Sequence, residues 1–183
     1  MSLSEWDRRY RQQARDSQGA PSELLTQFAG RPASGARALD LACGSGTNAV
    51  WLAQQGWHVT AVDGSSAAME LTIANAKRAR VSIHTVVADI ERHEFQIAPS
   101  TWDLISVILY LQRDLFESVK EGVVPGGLAM VSVLLHETDR AGNFRVVPGE
   151  LRAYFASWEI VHYYEGRRRD SHAVAEIVAR KVS

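Results

Sequence analysis

Three observations predict an α/β fold: a mostly parallel sheet with helices on both faces and a C-terminal antiparallel β-hairpin. Short apolar runs alternate with amphipathic stretches along most of the chain. Such alternation implies right-handed strand–helix–strand crossovers and parallel strands. The run Ala38 to Ala42 ends in a glycine turn, Gly44-Ser45-Gly46, and passes straight into an amphipathic stretch. The last two runs, Trp158 to Tyr164 and His172 to Lys181, are joined by a connection too short for a parallel crossover, so they pair antiparallel.

The elements follow in order. Ser4 to Gln18 reads as a polar helix with Trp6 and Tyr10 four residues apart on one face. Pro21-Ser22-Glu23 opens a short helix ending near Gly30. A Pro/Gly linker from Arg31 to Gly35 leads into the first strand. The helix after the glycine turn has Val50, Leu52 and Ala53 available to face a core. Trp57 to Val62 is the second strand and delivers Asp63. Ser65 to Ala79 reads as a helix, with Ser65 or Ser66 as N-cap and Met69, Thr72, Ile73 and Ala76 on its inner face. Val81 to Val87 is a third strand. Trp102 to Leu109 is a continuous apolar run, expected of a strand buried on both faces. Asp114 to Glu121 is helical, with Gly122 helping to stop it, and Leu128 to Leu135 is another buried strand. Pro148 to Ala156 is a last helix before the hairpin. The chain reads as a single domain over 1–183, with an N-terminal helical lid, 1–30, and a core, 36–183.

A strand, a glycine turn and a helix make a nucleotide-type binding loop. Glycine admits close backbone approach, and the helix N-terminus offers unpaired N–H groups. Asp63 lies close to the roughly 20-residue spacing expected of a ribose-binding acid. The pattern Gly44-x-Gly46-x-x-Ala49 also fits a dinucleotide fingerprint. Asp40 separates the two readings. A carboxylate just before the turn repels a phosphate and suits a cationic ligand. S-adenosylmethionine carries an ammonium, a sulfonium and an adenosine, and no phosphate. The bland alternatives are that Asp40 points away and caps a turn, and that Asp63 is a helix N-cap.

The chain resembles the class I S-adenosylmethionine-dependent methyltransferases. The resemblance rests on Asp40-Leu41-Ala42-Cys43-Gly44-Ser45-Gly46, Ala61-Val62-Asp63, Val87-Ala88-Asp89-Ile90, Thr101-Trp102-Asp103-Leu104-Ile105 and Val124-Pro125-Gly126-Gly127. It implies a Rossmann-like sheet closing in an antiparallel hairpin. The N-terminal Trp6-Asp7-x-Arg9-Tyr10 resembles a small bacterial subgroup related to the tellurite-resistance methyltransferases, in which this helix caps the cofactor. The resemblance implies a cofactor set of Trp6, Tyr10, Asp40, Ala42, Cys43, Gly44, Gly46, Asp63, Gly64, Asp89, Ile90 and Leu109. Asp89 and the backbone of Ile90 fall beside the adenine. An ordinary turn aspartate is the plain alternative for Asp89. Trp6 and Tyr10 either close over the cofactor or serve as hydrophobic anchors.

On the substrate side, His136 follows the fifth strand and is a candidate base. Arg113 and Arg145 are candidate clamps for an anionic substrate. The loop from His136 to Val147, with Glu137, Asp139, Arg140, Asn143 and Phe144, is long enough to act as a lid. Against these roles stand a polar strand-end histidine and solvated charges. Methyl transfer is a displacement at carbon. It demands alignment, and needs a base only for a protonated nucleophile. The expected acceptor is a small metabolite, a thiol, or a tellurium or selenium oxyanion.

Composition narrows the classes. Charged residues are 22% and hydrophobic residues 46% of the chain, with a formal net charge of −1. That balance suits a soluble protein without a global attraction to nucleic acid or membrane. Arg167-Arg168-Arg169 reads as a charged hairpin tip. No apolar run approaches the roughly 20 residues of a membrane span. Cys43 is the one cysteine, so no intrachain disulfide forms and a thiolate-built metal site is not expected. A cytoplasmic location is the expectation. Two rival readings stay open: an NAD(P)-dependent oxidoreductase, and a non-catalytic S-adenosylmethionine-binding protein.

Overall fold

The computed structural model describes residues 2–12, 19–137, 144–167 and 172–182. They divide into two units, Met1–Gln96 and Ile97–Ser183.

In the first unit, α1 (Leu3–Gln12) and α2 (Glu23–Phe28) precede β1 (Arg37–Leu41), α3 (Thr47–Gln54), β2 (His58–Asp63), α4 (Ser66–Ala79) and β3 (His84–Val87). The strands lie in the order β3-β2-β1 and run parallel. Asp40 is in register with Ala61, Leu41 with Val62, and Asp63 with Val87. The C-terminal ends of β1 and β2 therefore emerge side by side. Four of the five residues of β1 are buried, the continuous burial expected of a strand covered on both faces.

The predicted helix after Asp63 is present, and Ser65 is its N-cap, accepting from the Ala68 N–H at 3.1 Å. Its inner face is more polar than expected. Met69, Thr72, Asn75 and Ala76 are buried, whereas Ile73 is 53% exposed. The third strand starts at His84 rather than Val81 because Val81 belongs to the end of α4. Its N–H donates to Ala76 O at 3.0 Å beyond a left-handed Arg80, φ 57°, which closes the last helical turn.

The second unit holds β4 (Trp102–Ile108), α5 (Leu115–Gly122), β5 (Val123–Leu134), α6 (Glu150–Tyr154), β6 (Glu159–Arg167) and β7 (Ala173–Arg180). The order is β4-β5-β7-β6, with β4 and β5 parallel and both pairs involving β7 antiparallel. The C-terminal hairpin is thus present, with Tyr164 opposite Glu176. The connection from 168 to 171 lies outside the described residues, as do Arg168 and Arg169. β5 begins at Val123, earlier than expected. Trp102 pairs with Val123 and Leu104 with Leu128, so Val124-Pro125-Gly126-Gly127 bulges out between two paired positions. Gly127 is required there, because a β-carbon would stand 2.9 Å from the Asp103 carbonyl. Gly122 is the last residue of α5 and packs against Ile97 and Ile105. The end of α5 is closed by Lys181, whose ammonium donates to the Lys120 and Val123 carbonyls at 2.8 Å each. Phe116 and Phe155 meet edge to face at 6.0 Å among the buried side chains of this unit. Among the described residues no helix is long and apolar enough to cross a membrane.

Candidate functional site

The site in the first unit is built where β1 and β2 end. β1 runs out at Leu41, and the chain turns through Ala42, Gly44 and Gly46 with φ of 53°, 55° and 76°. Left-handed backbone suits glycine and strains alanine. The turn is stitched by Cys43 N–H donating to Val62 O at 3.1 Å and Gly46 N–H donating to Cys43 O at 3.0 Å. α3 then starts from Gly46 with no side-chain cap. Its first N–H groups carry the positive end of a helix.

Asp63 sits beside this turn. Its Oδ2 accepts from the Gly44 N–H at 2.9 Å and its Oδ1 from the Ser65 N–H at 2.8 Å. One carboxylate thus ties the loop after β1 to the loop after β2, and each oxygen keeps further acceptor capacity. Burial raises its pKa above the ordinary value, against the lowering by those two hydrogen bonds. Asp40 is buried within β1, 1% exposed. Cys43 is buried too, and its thiol is pushed well up, first by burial and then by the charges of Asp40 and Asp63. It stays a protonated thiol, a small residue in a tight turn rather than a nucleophile.

α4 supports the turn from behind. Thr72 Oγ1 donates to Gly44 O at 3.0 Å, and Asn75 Nδ2 donates to Ser45 O at 2.9 Å. A β-carbon on Gly46 would stand 2.5 Å from Thr72 Cγ2. Thr72 is on the inner face that the sequence predicts, and Asn75, outside that expected face, is buried beside it. The signal was their i, i+3 spacing: polar groups on a buried helix face need partners.

α1 lies on the same loops. A β-carbon on Gly44 would be 2.6 Å from the Tyr10 hydroxyl oxygen, and one on Gly64 would be 2.9 Å from Leu3 Cδ1. Trp6 stacks on Tyr10 with ring centroids 5.9 Å apart, and the Arg9 guanidinium lies 5.1 Å from the Trp6 ring centroid. Burial, then the Asp63 charge, pushes the Tyr10 hydroxyl up to about 12, so it remains a proton donor at neutral pH. Asp7 makes contacts the sequence did not suggest. Its Oδ1 accepts from Ser65 Oγ at 2.7 Å and from the Ala67 N–H at 3.0 Å. The expected extension of this helix over 13–18 lies outside the described residues.

Asp89 follows Ala88, whose N–H donates to Asp63 O at 3.0 Å. The Asp89 carboxylate accepts from the Arg92 N–H at 3.3 Å across a turn, while its own N–H donates to Glu94 Oε2 at 2.9 Å. Ile90 is buried. Trp6, Tyr10, Ala42 to Gly46, Asp63 and Gly64 are therefore drawn into one cluster, with Asp89 and Ile90 at the end of the neighbouring strand.

The remaining candidates belong to the second unit. Leu109 has φ 57°, is 62% exposed, and donates its N–H to Ser132 O at 2.7 Å. His136 is exposed, and its N–H donates to Val146 O at 2.7 Å. Arg113 donates through Nε to Glu150 Oε1 at 2.6 Å and through a terminal nitrogen to Arg145 O at 3.1 Å. This pairing raises Arg113 and lowers Glu150. Arg145 donates to Leu135 O at 2.7 Å and lies 3.5 Å from Glu137 Oε2. Both guanidinium groups are thus engaged in pinning the loop ends. Asp139, Arg140 and Asn143 lie outside the described residues.

Comparison with known proteins places the chain. Residues 22–176 match the family model described as tellurite resistance protein TehB. A protein named hemagglutinin 1 from Eikenella corrodens is 29% identical over 143 residues, 70% of this chain and 46% of that one. The probable S-adenosyl-L-methionine-dependent methyltransferase TehB of Haemophilus influenzae is 25% identical over 140 residues, 70% of this chain and 48% of that one. The chain thus spans about half the length of these curated relatives. The crystal structure of TehB from Haemophilus influenzae superposes with a TM-score of 0.71 at 22% identity, covering 86% of this chain and 59% of that one, which shows a common fold. A parallel α/β core with an antiparallel C-terminal strand pair and a match over most of its length lead to one assignment: the chain belongs to the TehB family.

Proposed function

We propose that this chain transfers a methyl group from S-adenosylmethionine to a small-molecule acceptor. The observation that carries the reading is Asp63, a carboxylate fixed by two N–H donors at the mouth of a left-handed glycine turn. It is held in place with lone pairs to spare for a ribose diol. Three further features support the fit. The uncapped start of α3 suits the ligand's carboxylate. Buried Asp40 repels a phosphate and suits an ammonium. The Tyr10 hydroxyl stays protonated beside Gly44 and can donate to the same carboxylate. The name of the Haemophilus influenzae relative points the same way.

When bound, the cofactor supplies an electrophilic methyl on a cationic sulfur. The protein's part is to hold that ligand and exclude water. Asp63 takes the ribose, the turn from Ala42 to Gly46 takes the amino-acid end, Asp89 and Ile90 take the adenine side, and Gly64 completes the set. Trp6 and Tyr10 cover the site. Loss of the sulfonium charge favours a dry site, and alignment supplies much of the acceleration.

For the acceptor, the family supports a tellurium or selenium oxyanion, with a small thiol or metabolite as the other members of the class. Such an anion can react without a general base. His136 would serve a protonated acceptor, and Arg113 and Arg145 would reach an anion by loosening their carboxylate partners. The test is release of S-adenosylhomocysteine with tellurite, selenite, small thiols and phenolic metabolites. Turnover with one of these is expected. Binding of S-adenosylmethionine without product from any of them would favour the non-catalytic reading.

A further inference from the structure

The helix α1 has no buried residue of its own, yet it lies tightly on two binding-loop glycines. Its attachment runs along one helical stripe, Leu3, Asp7 and Tyr10, at spacings of four and three that share a face. Leu3 covers Gly64 and Tyr10 covers Gly44. Between them, Asp7 reaches the first turn of α4. It accepts from Ser65 Oγ at 2.7 Å, from the Ala67 N–H at 3.0 Å and from Ser66 Oγ at 3.4 Å. Ser65 meanwhile accepts from the Ala68 N–H at 3.1 Å. The side chains of Asp7 and Ser65 therefore divide the first free N–H groups of α4 between them. A carboxylate placed there gains from both hydrogen bonding and the helix dipole. On Asp7's own helix, Arg11 bonds the other oxygen at 2.8 Å, which holds the carboxylate from behind.

We infer that Asp7 is a positioning residue of the cofactor site: by docking α1 on the start of α4, it sets the Tyr10 hydroxyl over Gly44. This rests on the reading of the Gly44 turn as the cofactor loop. Asp7 is engaged by Ser65, Ser66, Ala67 and Arg11 and acts through Tyr10. The arrangement also joins the two ends of Asp63's network. Ser65 gives its N–H to Asp63 and its hydroxyl to Asp7, so the ribose-binding acid and the cover are held by one residue. An aspartate three residues before a tyrosine in the first helix is thereby explained as a unit with it.

Two variants, Asp7→Ala and Asp7→Asn, test this in the full chain. Amide exchange of α1 is measured without ligand, and S-adenosylmethionine affinity by calorimetry. Asp7→Ala is expected to speed α1 exchange about fivefold and to weaken affinity by about the same factor, the effect of one lost cap. Asp7→Asn retains an acceptor oxygen and should recover most of both. Tyr10→Phe should weaken binding in the parent chain and add little on top of Asp7→Ala, since the hydroxyl is then already displaced. α1 exchange unchanged in Asp7→Ala would show that Asp7 does not hold the helix. Faster exchange with unchanged affinity, or a Tyr10→Phe effect fully additive with it, would show that Asp7 positions nothing. If the parent chain itself takes up no S-adenosylmethionine, the cofactor reading falls and the positioning role with it, whereas the exchange result still reports the docking.

Discussion

Replacing Asp63 by asparagine separates cofactor binding from loop architecture. In the parent chain both carboxylate oxygens accept from backbone N–H groups, Gly44 at 2.9 Å and Ser65 at 2.8 Å. Asparagine can satisfy one of them and turns its own NH2 group towards the other. Leaving that N–H unmet costs about 1–3 kcal/mol. Removing a carboxylate whose pKa burial has raised returns part of that cost. The stabilising effect of a raised Asp pKa is full below its unfolded value near 3.8 and lost as pH rises through the folded value, so at neutral pH the charged form carries the penalty. The net loss of stability is then about 1 kcal/mol, or roughly 2–4 °C in Tm for a chain of this size. Affinity suffers more directly. The ribose loses a charged acceptor and meets a donor in its place, about 1.5–3 kcal/mol or roughly a 10- to 150-fold weaker Kd. Thermal melting and calorimetry with S-adenosylmethionine read the two quantities separately. A folded variant whose Kd stays within about twofold of the parent would refute the ribose role and leave Asp63 as a tie between loops.

Other substitutions probe the support. Gly46→Ala forces a β-carbon to 2.5 Å from Thr72 at φ 76°, and melting should show a loss of more than about 1 kcal/mol. Thr72→Val deletes the hydroxyl that donates to Gly44 O at 3.0 Å; it should cost about 1–2 kcal/mol of stability and loosen the turn, seen as faster exchange at residues 44–46. Asp7 is held down at about 2 from an ordinary value of 3.8, chiefly by Ser65 and then by the Ala67 N–H. A lowered carboxylate contributes stability that is present above 3.8 and lost as pH falls through the folded value. The Tm difference between the parent and Asp7→Ala should therefore be constant above about pH 5 and shrink towards pH 2.

Much of this was legible in the sequence because local signals and burial agreed. The run from Ala38, the glycine turn and the Ser65 cap sit where propensity and turn chemistry put them, except that Ala42 leaves the strand at φ 53°. The disagreements have local causes. Ile73 fits the helical period yet stays exposed, because the buried stripe of α4 is given to Thr72 and Asn75, which hold loop carbonyls. Val81 looks like strand and is spent on the Schellman-type close of α4. Val124-Pro125-Gly126-Gly127 reads as the turn before a strand at Leu128, yet β5 starts at Val123, because the chain pairs with β4 on both sides of that bulge. The docking of Asp7 on α4 bridges 60 residues, a contact that no local pattern announces. The pairing of Arg113 with Glu150 across 37 residues is of the same kind, and sequence spacing offered only two exposed arginines.

The most direct test of the central claim is a calorimetric titration of the full chain with S-adenosylmethionine, run beside NAD and NADP. A single site for S-adenosylmethionine, with no heat attributable to either dinucleotide, is the predicted result: under the proposed reading, buried Asp40 disfavours a pyrophosphate and Asp63, fixed beside the Gly44 turn, takes a ribose. Binding of NAD or NADP with no uptake of S-adenosylmethionine would contradict it.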